Sequence, residues 1–279
     1  MSALSARSDR WQFLRPYLAL LWGERPLSAL LLVWPAACGL WLASNGVPSW
    51  RLLLGFALGL LLAQAALVLG QSLASPESVA PSQRQRWIML AIVLLLLMGL
   101  FALGDAVTFQ AGLLGLGIWA LGPLVRRFSY LGEIHQGVVF AWGVVMAFAC
   151  ASDEPLQPQM GLAALASMVW AASSSVWWTM ATRSRDLAAD KRTTAILLGD
   201  MDRVAQAVLL LGALAAWGLL GDQGELGFLF LIGLGLAALL LAWAWWQSRG
   251  RHSITYSRAG DLTAWAGGLV FLGMVLALV

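Results

Sequence analysis

Residues able to carry acid–base or metal chemistry are few in this chain and fall at a handful of places. Asp186 and Asp190 bracket the stretch DLAAD, and carboxylates at i and i+4 of a helix share one face, where they can hold a cation between them. Arg183, Arg185, Lys191 and Arg192 surround these acids, so ion pairing at a solvated helix end is the competing use of the same residues. His135 heads an apolar run with no nucleophile or acid spaced for a triad, and His252 lies in a polar stretch; neither signals catalysis. Cys38 and Cys150 sit inside apolar runs as small hydrophobes, which leaves neither a disulfide framework nor a CxxC metal site. Gln64, Gln110, the Ser173-Ser174-Ser175 run and Thr179 are polar groups within apolar stretches, a pattern that joins helices to one another or meets a ligand.

The elements that position these residues are set by composition. Of 279 residues 60% are hydrophobic and 11% charged, with a mean hydropathy of +0.78. A water-soluble domain carries about 25% charged residues, so that class is excluded. Sixteen Trp against three Tyr suit apolar helices whose ends lie at a headgroup layer. The net charge is +3, yet no basic arm with interleaved aromatics marks a nucleic-acid partner. Nine apolar runs, with no charge inside them beyond the terminal Arg51, Glu225 and Asp261, are long enough to span a bilayer: about 27–43, 51–70, 88–104, 106–124, 134–151, 158–181, 204–220, 225–246 and 261–279. Ahead of them, residues 10–22 place Trp11, Phe13, Leu14, Tyr17, Leu18 and Leu21 mostly on one helical face beside Arg10 and Arg15, the pattern of an interfacial helix. The expected fold is therefore all-α, with nine transmembrane helices over 27–279 after a cytoplasmic tail and interfacial helix over 1–26. That tail has no short apolar core before a small-residue cleavage site, so it does not read as a secretory signal peptide.

Orientation follows from the basic residues. Of 17 Lys and Arg, only Arg51 falls on one side of the alternating spans; the others lie in the N-terminal tail and in loops 2–3, 4–5, 6–7 and 8–9. The positive-inside rule then puts the N-terminus and those loops in the cytoplasm. Loops on the other side are short and acidic, while the long loops 2–3 and 6–7 are both cytoplasmic, so polar chemistry is expected there. The runs hold almost no charged residues, which argues against an ion pump or proton-coupled transporter.

Four segments, in order along the chain, carry a likeness to a known family. They are 24–43 (ERPLSALLLVWPAACGLWLA), 122–148 (GPLVRRFSYLGEIHQGVVFAWGVVMAF), 193–199 (TTAILLG) and the Gly-rich turn at 220–227. They resemble the UbiA superfamily of intramembrane prenyltransferases, and within it the 4-hydroxybenzoate polyprenyltransferases of ubiquinone biosynthesis. The resemblance implies a nine-helix bundle in a bacterial-type inner membrane, with a cytoplasmic site built from loops 2–3 and 6–7. It also implies a chemistry: an allylic diphosphate ionises, and an electron-rich aromatic acceptor attacks the carbocation. Two Asp-rich motifs then hold Mg²⁺ on the diphosphate, assisted by Lys and Arg.

The motifs themselves depart from the family pattern. After the small pair Ala65-Ala66, Gln71, Ser72 and Ser75 stand where the first motif has Asn, Asp and Asp, and Glu77 is the carboxylate left in that loop. Aligned on TTAILLG, the two Asp positions of the second motif hold Thr182 and Asp186, with Ser175, Ser184 and Arg185 replacing neighbouring acids. Asp186 and Asp190 are then the candidate metal pair. The resemblance assigns Arg126, Arg127 and Arg25 to the diphosphate, and planar guanidinium groups suit bidentate phosphate contact; Arg126 and Arg127 equally satisfy the topology rule without a ligand. The expectation is a divergent relative in which Mg²⁺-dependent prenyl transfer is lost or altered. The alternatives are an active polyprenyltransferase using Mg²⁺ and an aromatic acceptor, and a prenyl-lipid-binding or scaffolding protein with a quinone-pathway partner.

Overall fold

The structure is a computed structural model that describes residues 26–74 and 82–279. The expected interfacial helix over 10–22, and with it Arg25, Ser75 and Glu77, lie outside the described residues.

All regular structure among the described residues is helical. A 3-10 turn, Pro26–Ala29, leads into α1 (Leu30–Ala43); then come α2 (Trp50–Ala74), α3 (Gln83–Ala102), α4 (Ala106–Ala120), the short α5 (Gly122–Phe128), α6 (Gly132–Ala151) and α7 (Pro158–Ala188). The chain ends with α8 (Thr194–Leu198), α9 (Asp202–Gln223), α10 (Gly227–Gln247) and α11 (Ser253–Leu278). Eight stretches are long and apolar enough to cross a membrane, α4 joined with α5 and α8 with α9, and α1 adds a shorter apolar helix. Each expected run is thus a helix. Three of them extend into polar sequence: α3 begins at Gln83, α7 runs on to Ala188 and α11 begins at Ser253. Apolar runs measure the bilayer, whereas good helix formers such as Arg and Gln carry the helix past it.

Local sequence explains the helix ends. Ser82 and Gln85 form a reciprocal capping box at the start of α3. The Asp105 carboxylate accepts the Thr108 backbone N–H at 2.7 Å and starts α4, and this bond holds its carboxyl below the usual carboxylate range. Gly122-Pro123 interrupts α4, because Pro supplies no N–H to continue the ladder but fits the first turn of α5.

Lipid offers no hydrophobic drive between helices, so packing rests on close approach of small residues. α7 is the central helix: 61% of its most apolar stretch is buried, against 22% for α2. One hydrophobic cluster joins α7 to α9, α10 and α11 through Trp177, Trp217, Phe230 and Tyr256. A second joins it to α1 and α6 through Leu31, Phe140 and Trp170, and a third holds α2, α3 and α4 together. At Gly137 a Cβ would come 2.5 Å from the Met168 carbonyl of α7, and at Gly233 one would come 2.8 Å from Cα of Gly273, so these helices touch backbone to backbone. The Gly55 and Gly59 spacing, which suggests the same close packing in the sequence, does not do this: Gly55 faces nothing within 4 Å and Gly59 makes ordinary contact with Leu100.

Successive long helices alternate in direction, so the end of α2 and the start of α3 lie at the same end of the bundle as the α4–α6, α7–α9 and α10–α11 connections. Contacts between them bear this out, including Arg192 to the Phe128 carbonyl at 3.3 Å and Ser253 to the Ala181 carbonyl at 2.7 Å. All described Lys and Arg except Arg51 belong to that end.

Candidate functional site

The basic end holds three linked polar clusters, each built on a helix terminus. The first is the C-terminus of α7. Thr182 and Asp186 lie one turn apart, and the Thr182 hydroxyl donates to Asp186 Oδ2 at 2.6 Å. Beyond Ala188 the chain closes a Schellman motif: the Lys191 N–H donates to the Asp186 carbonyl and the Asp190 N–H to the Leu187 carbonyl, with Asp190 at φ 50°. Asp is among the few side chains that tolerate this left-handed position. The closure carries Lys191 back over the helix end, where its Nζ lies 3.7 Å from Asp186 Oδ1. Asp186 is buried and Asp190 exposed.

The second cluster joins α5, α6 and α8. Glu133, buried at the start of α6, accepts the Thr194 backbone N–H at 2.9 Å and the Thr194 hydroxyl. The same hydroxyl reaches the Tyr130 carbonyl at 2.7 Å, which fixes the TTAILLG segment against the α5–α6 turn. Arg126 and Arg127 occupy the last turn of α5, where cations favour the helix C-terminus. Arg127 stacks on Phe128 and Arg192 on Tyr130, and no carboxylate pairs with either among the described residues.

The third cluster surrounds Asp202, which opens α9 and is 2% exposed. Its carboxylate meets Arg251 at 3.4 Å, Arg183 at 3.9 Å and the Tyr256 hydroxyl at 3.4 Å, and Arg203 supplies a backbone N–H at 2.7 Å. Arg183 also donates to the Gly199 carbonyl, so α7, α9 and α11 are tied around one acid. Deeper in the bundle, the Trp178 indole N–H donates to Asp261 of α11 at 3.2 Å. Gln206 donates to both oxygens of Ser173.

Thr182 and Asp186 are brought together; Asp190 is not carried on their helical face, because α7 ends before it. Ser72 donates its hydroxyl back to the Leu69 carbonyl at 2.8 Å, and Gln71 is exposed. Arg192 bonds the Phe128 carbonyl, the residue after Arg127, and Lys191 precedes it in the chain; the Arg126 side chain instead lies against Gly122 and Gly132. His135 bonds the Ile118 carbonyl at 2.8 Å, which ties α6 to α4. Sequence reading passed over Glu133, Asp202 and Asp261. Glu133 and Asp202 sit in the first turns of helices, where acids are ordinary; the spacing of Asp202 from Arg251 carries no local signal. Among the described residues no three His, Cys, Asp or Glu side chains gather as a metal site would need.

Fold and polar end together define a polytopic helical membrane protein whose ion pairs, among the described residues, all lie at one end. The UbiA prenyltransferase family model matches residues 78–259. A 4-hydroxybenzoate octaprenyltransferase of Pseudomonas aeruginosa (strain UCBPP-PA14) is 32% identical, with 90% of this chain and 90% of that protein covered. The 4-hydroxybenzoate octaprenyltransferase of Alkalilimnicola ehrlichii is 31% identical over 100% of this chain and 98% of its own length. Among solved structures, the apo UbiA homologue from Aeropyrum pernix K1 superposes with a TM-score of 0.76 at 17% identity, covering 92% of this chain and 100% of that one. The Archaeoglobus fulgidus UbiA homologue bound to GPP and Mg²⁺ gives 0.63 at 16% identity, covering 92% and 99%. The chain belongs to the UbiA prenyltransferase family and is an integral, multi-pass membrane protein similar to the 4-hydroxybenzoate polyprenyltransferases.

Proposed function

We propose that this chain is a divergent polyprenyltransferase relative that binds an isoprenoid diphosphate at its basic end and in which Mg²⁺-dependent prenyl transfer is lost or altered. The carrying observation is the donor set. A Mg²⁺ ion bridging protein to diphosphate is held by hard oxygen ligands, chiefly carboxylates. At the motif positions stand Gln71, Ser72 and Thr182, and the one acid among the described motif positions, Asp186, is engaged by Thr182 and Lys191. These described residues do not fit the ion, and no step is routed through it. Arg126 and Arg127, with Arg192 bonded to the neighbouring Phe128 carbonyl, supply side chains suited to phosphate oxygens, and Arg25, outside the described residues, is the further candidate. In this reading residues 27–279 form the bundle, residues 1–26 form a cytoplasmic tail and interfacial helix, and the basic end faces the cytoplasm of a bacterial-type inner membrane.

A second reading keeps the activity: transfer of a polyprenyl group from its diphosphate to 4-hydroxybenzoate. It is favoured by the 32% identity to 4-hydroxybenzoate octaprenyltransferases over 90% of both chains. A lipid-binding or scaffolding role toward a quinone-pathway protein is what remains if transfer is absent. The deciding experiment uses purified protein in nanodiscs with 4-hydroxybenzoate and radiolabelled polyprenyl diphosphates, with and without Mg²⁺, beside the Asp186→Ala/Asp190→Ala double variant. Retention of labelled lipid without turnover is the expected result. Mg²⁺-dependent turnover that the double variant loses would establish the second reading instead.

A further inference from the structure

The basic end contains a cation of its own at the one motif acid it has kept. We infer that the Lys191 ammonium stands in the place of a metal at Asp186, and that the site takes a phosphate or diphosphate headgroup on side-chain cations, without divalent metal. The inference rests on the reading above, that an isoprenoid diphosphate binds at this end.

Backbone geometry carries the argument. The Schellman closure of α7 fixes where the chain goes after Asp186: the Lys191 N–H is bonded to the Asp186 carbonyl and Asp190 takes the left-handed turn. Lys191 is therefore delivered over the Asp186 carboxylate by the helix cap, and its Nζ to Oδ1 separation of 3.7 Å follows from that route. An ammonium has three N–H donors. One faces Asp186, whose other oxygen is taken by Thr182 at 2.6 Å, while the Lys191 side chain is 60% exposed and can turn its remaining donors outward. Arg192 follows at the next position, and its contact with the Phe128 carbonyl brings it beside Arg127. A phosphate monoester or diphosphate arriving there meets the Lys191 ammonium, which it shares with Asp186, and the Arg127 and Arg192 guanidinium groups, which no described carboxylate pairs. The cap also accounts for the DLAAD spacing: Asp186 is in the last turn and Asp190 is the left-handed cap residue. A metal pair is not needed to explain it.

The test is binding of radiolabelled farnesyl diphosphate to nanodisc-embedded protein, in Mg²⁺ and in EDTA, with inorganic pyrophosphate as competitor. Wild-type affinity in EDTA should stay within about twofold of that in Mg²⁺. Lys191→Met should weaken binding in EDTA by about tenfold, the scale of one lost charge-assisted contact, and Lys191→Arg should restore it. Asp190→Gly keeps the turn and removes the carboxylate, so it should bind as wild type. Competition by pyrophosphate at similar concentration assigns recognition to the phosphate groups; weak competition assigns most of the affinity to the lipid chain and overturns a headgroup site. Binding that EDTA abolishes, or loss of binding in Asp190→Gly while Lys191→Met is unaffected, overturns the inference and leaves the isoprenoid reading standing. No binding in either medium overturns both. Circular dichroism and thermal unfolding of each variant separate misfolding from lost recognition, and Lys191→Arg serves as the decisive variant if Lys191→Met does not fold.

Discussion

Asp202 shows how much of this protein's polar end depends on single side chains. It is buried, yet its partners Arg183 and Arg251 have side chains 30% and 46% exposed. Removing one member of a fully buried ion pair costs about 3–5 kcal/mol, and solvent around the two guanidinium groups lowers that figure. Asp202→Ala should therefore destabilise the protein by about 1–2 kcal/mol, measured as a lower unfolding midpoint by tryptophan fluorescence in detergent; an unchanged midpoint would remove Asp202 as the tie between α7, α9 and α11. At this scale the sequence was only partly legible. The types and numbers of the acids are plain in it, and the match between Thr182 and Asp186 follows from helical spacing. The pairing of Asp202 with Arg251, or of Glu133 with Thr194, joins residues far apart in the chain, and no periodicity announces it.

At the scale of helices, apolar run length predicted each long helix but not the short α5 and α8, because a bilayer core requires about 20 apolar residues per crossing. It did not predict which faces meet. The sequence offers many glycines; those that matter are the ones another backbone approaches, as Gly233 is by Gly273. Gly233→Val should push α10 from α11 and cost about 1–3 kcal/mol, the usual penalty for overpacking. Gly55→Val, at a position with nothing within 4 Å, should leave stability nearly unchanged. Thermal unfolding of the two variants side by side is the measurement, and equal losses would mean that helix propensity rather than close approach sets the effect. The end of α7 teaches the same lesson: DLAAD satisfies both a shared-cation spacing and a capped helix terminus, and only the observed turn at Asp190 separates the two.

Across the whole molecule, the charge asymmetry makes a prediction about orientation. Single cysteines introduced at Asn45, Asp153 or Glu225 should react with a membrane-impermeant maleimide added outside intact spheroplasts, while cysteines at Arg84 or Arg249 should react only after permeabilisation. The reverse pattern would invert the bundle and place the basic end outside. What the sequence by itself determined is the solvent, the number and order of the apolar helices and the segments in which cations gather, since hydropathy and charge are local properties that a bilayer reads directly. The tertiary structure decided which acids are free and which are occupied. Lys191 reaches Asp186 because a helix cap turns the chain back upon itself, and Asp202 is enclosed because three helices converge on it. Such contacts depend on where backbones run in space, which neither composition nor spacing records.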